Sequence, residues 1–199
     1  MSSIKLTADS GGGTFEIKAP SSGSNARVLT VPDTASGSVL TTTNPKSGNI
    51  LQVISTTKTD TTSSNSSSFA NITGMSVTIT PSSSSNKILL VGYVNTSTND
   101  ARNRVYFKIT GGNCSNYIGD AATGHETANV SPASYDNFAY MQTSVPFHFL
   151  DSPSTTSAIT YQIQWAVEAS QTAYLNRAYT ADSNSANTAS TFTAMEVAG

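Results

Sequence analysis

Apolar residues along this chain recur mostly at spacing two, in short runs divided by Gly, Pro, Asn, Asp and Ser. That pattern predicts antiparallel strands and tight turns rather than amphipathic helices. In the first 45 residues, Ile4 to Leu6, Thr14 to Ile17, Arg27 to Val31 and Ser38 to Thr42 read as four short strands. Gly11-Gly12-Gly13 and Ser21-Ser22-Gly23-Ser24 join them. The last two strands enclose Pro32-Asp33 and Ser36-Gly37, so Val28, Leu29, Val31, Val39 and Leu40 project from both faces of a thin hairpin. Below about 40 residues a fold usually needs disulfides, metals or oligomerisation, and this module has too few large side chains to close a core alone.

After Asn44-Pro45-Lys46-Ser47-Gly48 the strands lengthen. They are expected at Ile50 to Thr57, Met75 to Thr80, Lys87 to Val94, Arg104 to Ile109, Phe138 to Phe149, Ala158 to Val167, Ala173 to Tyr179 and Thr191 to Val197. Strands in this number, with no periodic helix between them, predict a two-sheet β-sandwich or jelly roll. The expected organisation is all-β: an N-terminal hairpin module over residues 1–45 and a sandwich over 46–199. Ala166 to Leu175 is the least strand-like stretch and can tolerate a helical turn. Ser63 to Ser68 and Ser82 to Asn86 read as polar loops at the sandwich ends.

Composition narrows the partners. Charged residues make up 11% of the chain, against roughly 25% in an average soluble domain. Ser and Thr supply 61 of the 199 residues, which suits strands with dense side-chain hydrogen bonding. A net charge of -2 leaves no basic footprint for displacing counterions from phosphates, so no nucleic acid is expected as partner. Met1 to Lys5 lacks the regions of a signal peptide, and no run approaches the roughly 18 apolar residues of a membrane span. The expectation is a protein made in a cytoplasm, without membrane insertion. Cys114 is the one cysteine, so no intrachain disulfide forms, and it reads as a small buried thiol.

Catalysis needs convergent groups, and the sequence offers few. His125 and His148 are not at ligand spacing to a cysteine or to each other. Alternation in Phe147-His148-Phe149 puts His148 on the face opposite the two phenylalanines, as an ordinary strand residue. No G-x-S-x-G string occurs, and the triple glycine lacks the Lys-Ser/Thr and helix of a phosphate loop. The 12 acids are scattered, leaving Asp100 and Asp120 as the only places to look for calcium. No enzyme activity, cofactor or metal is expected. Arg102, Arg104 and Lys108 share a strand face and read as a solvated edge or subunit contact. Tyr117, His125, Tyr135 and Tyr174, set among Gly, Asn, Asp and Ser, are the candidate ligand-contact residues, because such surfaces stack on sugars or pack on partners. The alternative makes each tyrosine a core or subunit-contact side chain.

The opening stretch SIKLTADSGGGTFEIKAPSSGSNARVLTVPDTASGSVLTTT resembles the stalk or attachment segments of bacteriophage fibre proteins, particularly those of marine phages, in which such hairpins lead into a distal domain. GNILQVISTTKTDTTSSNSSSFANITGMSVTITPSSSSNKILLV resembles the start of that domain, and FLDSPSTTSAITYQIQW and NRAYTADSNSANTASTFTAMEVAG resemble its closing strands. The resemblance covers nearly the whole chain. It implies a virion protein: a homotrimer with a jelly-roll head, similar to tumour-necrosis-factor-like folds, joined to other virion proteins through the N-terminal module. The shortness of that module departs from long fibres and points to a fibre tip, a knob, or a decoration or head fibre. Cyclic symmetry gives three copies of Val28, Leu29, Val31, Val39 and Leu40 a shared interior, so these residues are expected to contact neighbouring chains.

Three functions stand against one another. The first is binding of a host-surface glycan or protein receptor, strengthened by multivalency. The second is cementing or decorating a particle. The third is polysaccharide degradation, which needs clustered acids that the sequence does not display.

Overall fold

The computed structural model describes residues 3–7, 14–18, 45–100, 104–117, 119, 128, 140–168 and 170–199. The chain forms two units, Met1–Val39 and Leu40–Gly199. In the first, β1 (Ser3–Thr7) and β2 (Thr14–Lys18) pair antiparallel, with Ile4 opposite Ile17 and Leu6 opposite Phe15. The expected hairpin carrying Val28, Leu29, Val31, Val39 and Leu40 lies outside the described residues.

The second unit contains β3 (Ile50–Lys58), β4 (Thr62–Ser64), β5 (Ala70–Ile79), β6 (Lys87–Thr98), β7 (Val105–Thr110), a 3-10 turn (Cys114–Tyr117), β8 (Thr143–Asp151), β9 (Ile159–Val167), β10 (Ala173–Leu175) and β11 (Ser190–Val197). Its pairings are nested: β3 with β11, β5 with β9 and β6 with β8, with β7 at the turn of the nest. The outer and inner pairs join through β6 and β11 in one sheet, while β5, β9 and β7 form the other. A long antiparallel ribbon wound so that successive pairs fall in opposite sheets is a jelly roll. The second unit is therefore an all-β sandwich.

Alternation explains which face of each strand meets the core. In β11 buried and half-buried residues alternate without a break, so Phe192 and Ala194 face inward and Thr193 and Met195 outward. The core takes Met75, Val77 and Ile79 from β5, Ile88 and Leu90 from β6, Phe107 from β7, Phe147 from β8, and Tyr161, Ile163 and Trp165 from β9. Each large apolar side chain buried this way contributes roughly 1.5–3 kcal/mol relative to leaving it in water. His148 is exposed and Phe147 buried, as the strand parity requires.

Four elements differ from the sequence reading, each for a local reason. Strand β8, expected from Phe138, begins at Thr143; Tyr140 lies in a turn, and Gln142 uses its side chain to bond the Ala186 carbonyl and the Thr188 hydroxyl, while Phe138 lies outside the described residues. Strand β5 begins at Ala70 rather than Met75 because a bulge between Asn71 and Ser76 breaks its parity. Ile72 and Met75, three positions apart within the bulge, both point inward, so period two is legible only from Met75 onward. Within the bulge, the Gln162 side-chain amide donates to the carbonyls of Ile72 (3.0 Å) and Met75 (3.1 Å), replacing ladder bonds. Strand β6 runs past Val94 through the polar Asn95–Thr98; the side chains of Asn95, Thr96 and Ser97 bond neighbouring segments, and that of Thr98 bonds the Asp100 carbonyl. Strand β10 stops at Leu175 instead of Tyr179, because Asn176 takes a left-handed conformation (φ 59°) that no strand accommodates. The Ser63 to Ser68 stretch contributes the short strand β4, while Ser82 to Asn86 is a loop. Among the described residues of Ala166 to Leu175 no helix is found: β9 runs to Val167, the Gln171 N–H donates to the Glu168 carbonyl (3.2 Å), and β10 takes over at Ala173.

Strand direction gives the sandwich two distinct ends. The chain enters beside the start of β3, where Gly48 donates to the Ala198 carbonyl (2.8 Å) and Ala198 to that of Asn49 (2.9 Å). The Ser82–Asn86 loop shares this end. The end of β3, the end of β6, and β4 and β10 lie at the other, about 26 Å away at the usual rise per strand residue.

Candidate functional site

At the far end, β10 is a three-residue strand between β4 and β6, with Tyr174 opposite Ser63 on one side and Ser97 on the other. Ala173 and Leu175 point into the core, so Tyr174 points outward. The chain then reverses at Asn176 and carries Arg177 back over the Tyr174 ring, with the guanidinium carbon 4.1 Å from the ring centroid. Tyr179 completes the group, its ring centroid 5.8 Å from that of Tyr174 at an interplanar angle of 38°. Tyr179 is 43% exposed, while Tyr174 and Arg177 are half-buried.

The backbone beneath this stack is held at several points. Asn176 is fully buried; its side-chain amide donates to the carbonyls of Lys58 (2.8 Å) and Asp60 (3.0 Å), and its Oδ1 accepts from Ser190 Oγ (2.6 Å). Its backbone N–H donates to the Asn95 carbonyl (2.9 Å). Ser190 Oγ in turn accepts from the Asn95 N–H (3.0 Å), and Asn95 Oδ1 accepts from Ser144 Oγ. The Ser97 hydroxyl donates to the Arg177 carbonyl (2.8 Å), and Arg177 forms a β-bridge with Asn187. A residue satisfied on all sides in this way fixes the turn, and with it the ring and guanidinium that follow. Arg177 Nη1 makes long bonds to the carbonyls of Ala178 and Tyr179, both 3.4 Å. Among the described residues no carboxylate lies within ion-pair reach of its guanidinium.

Two buried carboxylates lie at the entry end and serve the fold. Glu196 Oε1 accepts from the Ser82 N–H (2.6 Å), Ser82 Oγ (2.7 Å) and Asn86 Nδ2 (2.6 Å), and Oε2 accepts from Gln52 Nε2 (2.6 Å). Burial acts to raise its pKa, but these bonds from Asn86, Gln52 and Ser82 outweigh it and hold the carboxyl below its ordinary range. Asp151 accepts from Tyr161 Oη (2.6 Å) and the Asn113 N–H (3.2 Å). Gly112 admits this contact: with φ of 51°, an added Cβ would stand 2.0 Å from Asp151 Oδ2. Cys114 next to it is 1% exposed, and burial, with the Asp151 charge second, pushes its thiol up to about 12. That thiol is inert, as its sequence context suggested.

Of the sequence-selected ligand residues, Tyr174 falls in the stack. Tyr117 closes the 3-10 turn at Cys114–Tyr117, while His125 and Tyr135 lie outside the described residues. Sequence reading missed Arg177 and Tyr179, which it had placed inside a strand. The signal available was Asn176, a residue that tolerates left-handed backbone and can therefore end a strand and fold the next side chains back. Arg104 meets Glu168 at 3.9 Å, and Lys108 Nζ lies 4.0 Å from the Phe69 ring centroid, so both have local structural partners. Among the described residues no three His, Cys, Asp or Glu side chains gather as a metal site.

A second surface stands out on the larger sheet. Its outward face carries an apolar row running straight across four strands: Val53 opposite Met195, Met195 opposite Leu89, and Leu89 opposite Leu150. Val53 is 54% and Leu150 45% exposed. The next rows add Val91 beside His148, and Tyr93, 40% exposed, opposite Pro146.

No protein family and no curated protein matches the sequence. Among solved structures, the chain is similar to proteins of infectious bursal disease virus. It matches the Gt strain structure at TM-score 0.39 and 13% identity, covering 87% of this chain and 43% of that one. It matches the Gx strain structure at TM-score 0.40 and 14% identity, covering 94% and 43%. The D431N mutant VP2 protein in T=1 particles gives TM-score 0.38 and 13% identity, covering 98% and 44%. The chain thus spans less than half the length of these viral chains. The jelly-roll assignment rests on the nested strand pairing.

Proposed function

We propose that this protein is a non-enzymatic structural component of a virion, a homotrimer held on the particle through residues 1–45 and displaying the sandwich of residues 46–199 towards the host surface. The observation that carries the reading is the apolar row Val53–Met195–Leu89–Leu150 on the outward face of a sandwich whose inner core is already complete. Three strand spacings make the row about 14 Å long. A contiguous outward apolar strip of this kind favours a protein that is covered on assembly over one that works as a free monomer.

Cyclic trimers use a heterologous contact, in which one patch meets a different patch on the next copy. Ile54, 36% exposed and paired with the inward-facing Ala194, lies on the other side of the edge strand β3 and offers that second patch. The sandwich is also polar along its length. Residues 45–49, leading into β3, lie at one end, and the Tyr174–Arg177–Tyr179 stack lies at the other, where a host surface would be met.

The resemblance of the N-terminal stretch to phage attachment segments supports the fibre or fibre-tip form of this reading. A capsid decoration or cement protein is the second form, in which the apolar row faces the particle. Deleting the protein from the virus separates them. Intact particles that no longer adsorb to host cells are expected for the fibre; fragile particles with normal adsorption would establish the cement role instead.

A further inference from the structure

The Tyr174–Arg177–Tyr179 stack pairs an open aromatic face with a guanidinium that has no acidic partner among the described residues. Structural arginines in folded proteins are commonly paired with carboxylates, as Arg104 is with Glu168 here. Arg177 is instead laid flat on a tyrosine, and its long bonds to the Ala178 and Tyr179 carbonyls use Nη1. Among the described residues its Nε–H and Nη2 groups have no hydrogen-bond partner and so offer donors for an anion, and a planar fork of this kind matches a carboxylate or sulfate in two parallel hydrogen bonds. The neighbouring Tyr179 ring presents an apolar face with a polar edge, the surface on which the C–H face of a pyranose stacks.

We infer that the stack is a binding site for an acidic saccharide, the anionic group held by Arg177 and the sugar ring resting on Tyr179. The inference rests on the reading of this end as the host-facing one, and it names the ligand class. It also fits the sandwich chemically. With Lys and Arg totalling 10 of 199 residues, the chain has no broad basic field, so recognition of a polyanion falls to a single placed guanidinium rather than to diffuse attraction. Asn176 makes the site pre-formed. Its buried amide network holds the turn before ligand arrives, so little ordering cost remains at binding.

The test is a titration of the purified full-length protein, by tyrosine fluorescence and calorimetry, with oligogalacturonate, a sulfated galactan and the neutral galactan. Binding of oligogalacturonate or the sulfated galactan, with the neutral polymer weaker by about tenfold or more, is expected from the loss of a charge-assisted bidentate contact. Arg177→Gln is expected to weaken the acidic probes to the level of the neutral one, and Tyr179→Ala to weaken all three. Arg177→Lys, which keeps the charge and loses the fork, should fall between. Equal binding of acidic and neutral probes, acidic binding unchanged in Arg177→Gln, or no binding of either acidic probe at millimolar concentration would overturn the inference. Far-ultraviolet circular dichroism and melting of each variant distinguish loss of the site from loss of the fold. Failure of saccharide binding in a protein that still assembles sinks the ligand class alone, whereas saccharide binding by a chain that remains a monomer sinks the assembly reading alone.

Discussion

Phe147 and Phe192 meet edge to face, with ring centroids 5.6 Å apart and planes at 70°, on the two strands that flank Gly92 of β6. Glycine is required there because a Cβ would stand 2.3 Å from the Thr191 carbonyl and 2.8 Å from the Phe147 ring. Gly92→Ala is therefore expected to destabilise the sandwich by about 3 kcal/mol, the upper end for core overpacking. Urea denaturation measures it, with Ser55→Ala on the exposed face as a control expected to change stability by less than about 0.5 kcal/mol. A Gly92→Ala midpoint equal to wild type would mean that β6 is not clamped between these rings.

Glu196 gives the fold an acid limit. Its folded pKa lies below its ordinary value of 4.5, so its contribution is complete above that value and is lost as pH falls through the lower folded value. Glu196→Gln replaces an acceptor with a donor facing the Ser82, Asn86 or Gln52 donors and should cost about 1–3 kcal/mol at neutral pH. Urea midpoints measured from pH 7 down to acid should fall more steeply for wild type than for the variant. Parallel curves would remove Glu196 from the account.

Cys114 reports on the Asp151–Tyr161 contact from within. With its thiol buried and its pKa raised to about 12, it should react with a soluble thiol reagent only when the protein opens. Tyr161→Phe removes the 2.6 Å hydrogen bond to Asp151, leaving that carboxylate the Asn113 amide, and should cost about 1–3 kcal/mol. Labelling of Cys114 in native buffer should accelerate in step with that loss. Rapid labelling of wild type would contradict its buried placement.

Asn176→Ala removes three side-chain hydrogen bonds from a buried site and forces a Cβ-bearing residue without a local polar side chain into a left-handed turn. A loss of about 3 kcal/mol or more is expected. Asn176→Gly relieves the backbone strain and keeps only the hydrogen-bond loss, so it should recover part of the stability. Equal stability of the two variants would show that the conformation contributes nothing.

Much of this fold was legible because strand parity survives translation into structure. Phe147-His148-Phe149 and the run from Thr191 to Val197 each read correctly from alternation alone. The start of β5 did not, because the bulge at Asn71–Ser76 swaps the inward parity between Ile72 and Met75. The polar end of β6 also escaped, since Asn95 to Ser97 resemble a loop until their partners on other segments are known. The site was half visible for the same reason. Tyr174 stands on a strand face, but Arg177 and Tyr179 join it through a backbone reversal whose cause, the buried Asn176 network, involves residues more than a hundred positions away.

Assembly through the outward sheet face is the central claim, and mass in solution tests it most directly. Light scattering or native mass spectrometry of the full chain should return three chains of 20.7 kDa, about 62 kDa. Val53→Asp combined with Leu150→Asp, at the two ends of the apolar row, should reduce this to the single-chain mass while strand content by circular dichroism is retained. A monomeric wild type, or a double variant that assembles as well as wild type, would contradict the claim.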